Sequence, residues 1–293
     1  MKGVWGLVVL TLLSCSGREY ESVVIRGSDT EVNLVLRLAE EFMDQHSDVS
    51  IAVTGGGSGT GIASLINKKT DIANSSRAFR PSEITLARSR GVQVLPIIFA
   101  LDALCFITHE SLALDSLNLQ QVRDIFTGKV DNWAAMGLQD LPISLYGRQG
   151  NSGTFFYIQN TILQSDYSLD MKQMNGTSQI IESIKNDPAG IGYVGIGYVL
   201  NKQGDVIDGV KVLSIEGEQQ GAVSPTITQN ITSGKYPIVR PLYQYLDGKP
   251  EGRLKDFIAY ELSPAGQRII AENGYFPISE AYQQANQKVL SDD

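Results

Sequence analysis

The sequence predicts an α/β fold, because three separated loops each follow a strand pattern and each open a helix pattern. The loops are Gly27-Ser28-Asp29-Thr30, Gly55-Gly56-Gly57-Ser58-Gly59-Thr60-Gly61 and Arg148-Gln149-Gly150-Asn151-Ser152-Gly153-Thr154. Strand, glycine-rich turn and helix in that order place ligands at the carboxyl edge of an open sheet. The strands are short and β-branched: Val23-Val24-Ile25, Ser50 to Val53 and Ile143 to Tyr146.

The helices show in their spacing. After Thr30 the apolar residues Val32, Val35, Leu36, Ala39, Phe42 and Met43 recur in threes and fours, which predicts one buried face. Ile62, Leu65 and Ile66 follow Thr60, and Phe155, Ile158, Ile162 and Leu163 follow Thr154. A helix start leaves backbone N–H groups unpaired and carries the positive end of the macrodipole, so it attracts anions. One such loop is explained by capping alone. Three, with Arg148 their single arginine, predict a cage that grips a small oxyanion mainly through neutral donors. A fourth segment, Asp71-Ile72-Ala73-Asn74-Ser75-Ser76-Arg77, runs from a strand into a hydroxyl-rich turn. Ser75 and Ser76 can donate to an anion, and Arg77 is expected to reach solvent.

Composition narrows the function. A formal net charge of −8, with no basic stripe, argues against a nucleic-acid partner. It also means that an anion must be held by local donors, since the long-range field repels it. Two cysteines and two histidines cannot build a thiolate or imidazole metal cluster, and no metal or cofactor is expected. Cys105, inside the apolar run Leu101 to Ile107, reads as a small buried hydrophobe. The glycine run fails both nucleotide motifs: no lysine follows Gly59-Thr60-Gly61, and no spacing puts glycine first, third and sixth. Ser58 and Ser152 lack the setting of a hydrolase nucleophile, so no catalytic residue is assigned.

The amino terminus reads as an export signal over residues 1–14. Lys2 precedes the apolar stretch Val4 to Leu13, which is too short to span a bilayer. Leu12-Leu13-Ser14-Cys15 resembles the lipobox of bacterial lipoproteins, with Cys15 as the acylated residue and 15–22 as a polar tether. Acyl chains would hold such a protein at a bacterial membrane surface, in the periplasm or at the cell exterior.

These motifs jointly resemble the phosphate-binding lipoproteins of bacterial ABC importers, in the type II periplasmic binding-protein superfamily. The likeness also rests on Ile-Phe-Thr-Gly-Lys-Val-Asp-Asn-Trp at 125–133, Tyr-Pro-Ile-Val-Arg-Pro-Leu-Tyr at 236–243 and Ser-Pro-Ala-Gly-Gln at 263–267. It implies two α/β lobes with a ligand cleft between them, lobe 1 from 20–102 and 243–293, lobe 2 from the inserted 103–242. The crossings would be Ala100 to Leu104 and Arg240 to Tyr243. It further implies phosphate held by Ser28, Asp29, Thr30, Ser58, Ser76, Arg148, Ser152, Gly153 and Thr154, with Arg148 as a charge-assisted donor pair. The partners would be inorganic phosphate and membrane permease subunits, and the protein a monomer rather than an enzyme.

The chain departs from that family pattern twice. Ser76 stands where an aspartate often faces the ligand, and Gly150 where an acid often steadies the arginine. Asp29 is then expected to take the proton of phosphate. A receptor for sulfate, molybdate or tungstate, or a phosphate-ester hydrolase on the same scaffold, are the alternatives.

Overall fold

A computed structural model describes residues 20–201, 203–217 and 221–291. The export signal 1–14, Cys15 and the first part of the tether lie outside them. No helix among the described residues is long and apolar enough to cross a membrane.

The strands are β1 (Glu21–Gly27), β2 (Val49–Thr54), β3 (Ile72–Ser75), β4 (Val94–His109), β5 (Ser116–Asn118), β6 (Ser144–Arg148), β7 (Lys172–Met174), β8 (Gly190–Gly195), β9 (Val210–Val212), β10 (Ser214–Gly217), β11 (Gly221–Val223) and β12 (Val239–Asp247). The helices are α1 (Val32–Gln45), α2 (Ser58–Ile66), α3 (Pro81–Ser89), α4 (Leu119–Phe126), α5 (Gly153–Tyr157), α6 (Thr177–Lys185), α7 (Thr228–Thr232), α8 (Gly252–Leu262), α9 (Pro264–Glu272) and α10 (Glu280–Ser291).

One sheet runs β2-β1-β3-β12-β4-β8-β6-β7, with β9 also on β4, and a small sheet runs β11-β10-β5. The strands β1, β2 and β3 are parallel, as are β6, β7 and β8. Between these parallel sets lie β4 and β12, paired antiparallel, with Arg240 opposite Asp102 and a register shift between Leu242 and Tyr243.

The long strand β4 joins two hydrophobic cores. Its Leu95, Ile97, Phe99 and Ala100 pack with Ile25, Leu38, Phe42, Leu242 and Phe257. Its Ala103 to Ile107 pack instead with Phe126, Trp133, Ile180, Tyr193 and Ile238. Both faces of β4 are covered, which is why its sequence is nearly continuous apolar rather than alternating. Cys105 is fully buried and free, and burial pushes its thiol well above the ordinary range.

The buried face of α1 differs in phase from the expected one. Leu34, Val35, Leu38, Ala39 and Phe42 are buried, while Leu36 is 41% exposed. Leucines at 34, 36 and 38 make the apolar stripe ambiguous in rotation. The contact with the sheet chooses between them. Helix α5 is also short: after one turn the chain passes into a π-helical segment, Ile158–Leu163, which still buries Ile158, Ile162 and Leu163.

Candidate functional site

The three loops and the serine turn converge. Ser28 follows β1, Ser58 opens α2, Ser76 follows β3, and Ser152 to Thr154 open α5. The Ser28 hydroxyl donates to Ser76 Oγ at 3.1 Å, and Ser76 Oγ lies 3.3 Å from Ser58 Oγ. Ser58 Oγ also accepts the Ser76 backbone N–H at 3.1 Å. Across from them, Thr30 Oγ1 and Thr154 Oγ1 lie 3.1 Å apart although 124 residues separate them. All of these side chains are buried. Rotatable hydroxyls in this number, shielded from water, form a site that can donate to several anion oxygens at once.

Capping does not account for them. Helices α1 and α2 start at Glu31 and Gly57 with no side-chain cap. Only Ser152 caps, accepting the Phe155 N–H at 3.4 Å, and its own hydroxyl proton stays available. Two glycines permit the approach. A Cβ on Gly153 would stand 2.3 Å from Ser58 Oγ and 2.6 Å from Ser76 Oγ. Gly57 has φ +90°, and a Cβ there would meet Asn151 O at 2.9 Å. Loop-to-loop hydrogen bonds complete the contact: Gly59 N donates to Asn151 O at 2.9 Å, and Asn151 Nδ2 donates to Gly56 O at 2.9 Å.

Arg148, 1% exposed, is held from every side. Its Nη2 donates to Asp29 Oδ2 at 2.5 Å and to Asn175 O at 3.0 Å. Its Nη1 donates to Thr177 Oγ1 at 3.1 Å, and Nε reaches Gln149 Oε1 and Met174 O. Of the guanidinium's five N–H groups, one on Nη1 has no partner among the described residues. Its backbone N–H donates to the hydroxyl of Tyr193, whose pKa burial pushes up to about 12.

Asp29, expected to accept the proton of phosphate, is turned in this structure toward protein groups. One carboxylate oxygen accepts from Arg148 and the other accepts the Gly56 N–H at 3.0 Å. Each oxygen thus already helps to orient a protein group and keeps a second acceptor site. Asp29 thereby does what an acid at Gly150 would otherwise do, and nothing lies within 4 Å of where a side chain at Gly150 would start. Tyr198 hydrogen-bonds the Asp29 carbonyl, and Tyr275 donates to Thr30 O at 2.5 Å, so loop 1 is pinned along its length.

A second arginine, missed in the sequence reading, stands beside the hydroxyls. Arg240, also 1% exposed, donates through Nη2 to Thr154 Oγ1 at 3.0 Å and Thr30 Oγ1 at 3.4 Å, and through Nη1 to Ser76 O at 3.3 Å. It is paired with the fully buried Asp102, at 2.9 and 3.1 Å. Burial raises the Asp102 carboxyl, while Arg240 pulls against that rise. The signal lay in the Val-Arg-Pro run, where a charged residue interrupts an apolar strand.

Arg77 overturns its expected exposure. It is 6% exposed, and Glu83 grips its two terminal nitrogens at 2.8 and 2.7 Å. Pro81 starts α3 at once after the turn, which brings Glu83 back over Arg77. Burial alone would raise the Glu83 carboxyl, but the hydrogen bonds and charge of Arg77 hold it below its ordinary value. Glu31, directly behind Thr30, is fully buried, and burial pushes its pKa well up against the opposing pull of the Ser28 hydroxyl and Arg240.

The chain is similar to several known proteins. A family model described as the PBP superfamily domain matches residues 15–265. A protein named phosphate-binding protein PstS from Pseudomonas aeruginosa is 28% identical over 270 residues, covering 86% of this chain and 81% of that one. Another of the same name, from Borreliella burgdorferi, is 28% identical over 277 residues, covering 91% and 94%. A solved structure from Clostridium perfringens, described as a phosphate ABC transporter substrate-binding protein with bound phosphate, superposes with a TM-score of 0.78. It is 26% identical and covers 88% of this chain and all of that one.

Proposed function

The chain belongs to the PBP superfamily, and we propose that it is the receptor that binds inorganic phosphate for an ABC importer. One observation carries this: hydroxyls from four separate segments and two buried arginines converge, and each arginine is already oriented by one carboxylate. Charge is present but preorganised, so most of the grip comes from fixed dipoles that need no reordering when an anion enters. The relatives named above bear the name phosphate-binding protein.

Ser28, Thr30, Ser58, Ser76, Ser152, Gly153 and Thr154 are the proposed ligand-facing set, with Arg148 and Arg240 as cations. Asp29 is a positioning residue for Arg148. The two hydrophobic cores are proposed as the two lobes, 20–102 with 243–293 and 103–242, crossing at β4 and β12. In this reading the 27–30 loop, the 55–61 loop and the serine turn face the 148–154 loop across the cleft, and closing the lobes is what brings them together. Cys15 is proposed as the lipid anchor, and the protein as a monomer that hands phosphate to permease subunits without catalysing a reaction.

Calorimetric titration of protein stripped of bound anion tests the receptor reading. Phosphate should bind at one site, and at ~100 times its Kd should stabilise the fold by about 2.7 kcal/mol. Absence of both heat and thermal shift at millimolar phosphate would overturn it. Replacing Cys15 by serine should release the exported protein from the membrane fraction. Retention there would reject the anchor.

A further inference from the structure

Beside the cage, α2 and the 148–154 loop border a separate, open groove of about 680 Å³. Its walls carry Arg26, Lys69, Arg77 and Arg80, against the single carboxylate of Glu83, in a chain whose overall charge is −8. Glu83 is spent on Arg77. Arg26 and Lys69 are exposed and have no carboxylate partner among the described residues. Arg80 is held in place differently: its guanidinium lies 4.0 Å over the Phe156 ring. The Nε atoms of Arg80 and of the nine-tenths buried Arg77 are both shielded from solvent and hydrogen-bonded to nothing. Burial and the nearby Arg77 charge pull the Arg80 guanidinium below its ordinary pKa, so these cations repel one another as they stand.

We propose that this groove is a second anion site, for a linear condensed phosphate. The cage is walled by hydroxyls and sized by loops in direct contact, so it suits one tetrahedral anion. The groove differs in each respect. Its volume falls in the range of small-molecule sites, roughly 300–1,000 Å³. With Arg77 paired to Glu83, its uncompensated cations come from three separate segments, Arg26 at the end of β1, Lys69 before β3 and Arg80 before α3, rather than from one loop tip. A chain of linked phosphates can meet several such cations at once, and stacked arginine is a preorganised donor to phosphate oxygen. Asn151, which ties the arginine loop to loop 2, also lines the groove, so an occupant would lie against that contact.

The test is a titration of tripolyphosphate into full-length protein already saturated with orthophosphate. Saturable binding is expected, weakening as salt is raised. Arg26→Glu with Lys69→Glu should lower the tripolyphosphate affinity about tenfold or more, and so should Arg80→Ala. Orthophosphate affinity in the same variants, measured separately, should stay within about twofold of wild type. Both charge-reversed positions are exposed, so folding is preserved, and a melting curve checks it. Tripolyphosphate binding that is absent, unchanged in the variants, or abolished by orthophosphate through competition for the cage overturns the proposal. Failure of orthophosphate itself to bind would instead strike the receptor reading.

Discussion

Arg148 and Arg240 are equally buried and each holds one carboxylate beside threonine hydroxyls, but they are anchored in opposite ways. Asp102 and Arg240 sit opposite each other on adjacent strands, in register, and neither is exposed. Arg148 ends β6 and Asp29 lies in the loop after β1, 119 residues away, and Asp29 is 19% exposed. A pair built into neighbouring strands persists whatever the cleft does. A pair made between a strand end and a distant loop exists only while the two meet. One arginine is therefore structural charge lent to the site, while the other is charge assembled together with the site.

The largest expected effect follows from removing the permanent cation. Arg240→Ala strands Asp102 in the interior, a change that costs about 3–5 kcal/mol of stability. Urea midpoints measure it, and a loss under about 1 kcal/mol would mean that Asp102 has other support. Arg240→Met with Asp102→Leu should recover most of the stability, because two apolar groups replace a desolvated pair. Phosphate binding should remain weakened in that double variant.

Arg148→Ala should show the opposite split. Binding should weaken by roughly 2–5 kcal/mol in calorimetry, with a smaller loss of unliganded stability than for Arg240→Ala. Equal stability losses in the two alanine variants would break the comparison.

Asp29→Asn sharpens it further. If Asp29 only orients Arg148, the variant should weaken phosphate and sulfate together, by about 1–2 kcal/mol each. If it takes the proton of phosphate, sulfate should gain relative to phosphate, since sulfate has no proton to give. The ratio of the two affinities at fixed pH and salt decides.

The smallest effect concerns a buried acid that has no cation at all. Glu261 accepts only the Gln244 side-chain amide, its other oxygen is unpartnered, and burial pushes its pKa well above 4.5. The native state therefore keeps a proton that the unfolded chain releases as pH rises past the ordinary glutamate value. Its contribution to stability is complete below that value and is lost as pH climbs toward the raised one. Glu261→Gln should match wild type in acid and exceed it at alkaline pH, by an amount that grows as pH rises. Parallel pH profiles of the unfolding midpoint for the two proteins would show that Glu261 is not the titrating group.

Local pattern made much of the chain legible. The strand–loop–helix units at Ser28, Ser58 and Ser152 are set by residues a few positions apart, so turn and capping chemistry suffices to find them. The phase of α1 was not legible, because Leu34, Leu36 and Leu38 satisfy more than one buried face. The burial of Arg77 was missed for a related reason: its partner Glu83 lies in the next helix, and only the turn's geometry shows the two meeting. Asp29 was expected to take the proton of phosphate, and only the structure places it on Arg148, where Gly150 supplies no acid.

By itself the sequence determined which segments could offer donors to an anion, and that those donors are mostly hydroxyls and backbone N–H groups. Whether a donor is spent or free was decided only in three dimensions. A carboxylate has no fixed meaning in a sequence, since its proton affinity and its partners depend on what is brought within about 3 Å of it. Asp29 reads as a ligand until Arg148 and Gly56 occupy its oxygens, and Asp102 reads as a hinge residue until its strand register sets Arg240 beside it. Those approaches join residues more than 25 and up to 138 positions apart. Packing of the two cores makes them, and no local rule of residue spacing reaches that far.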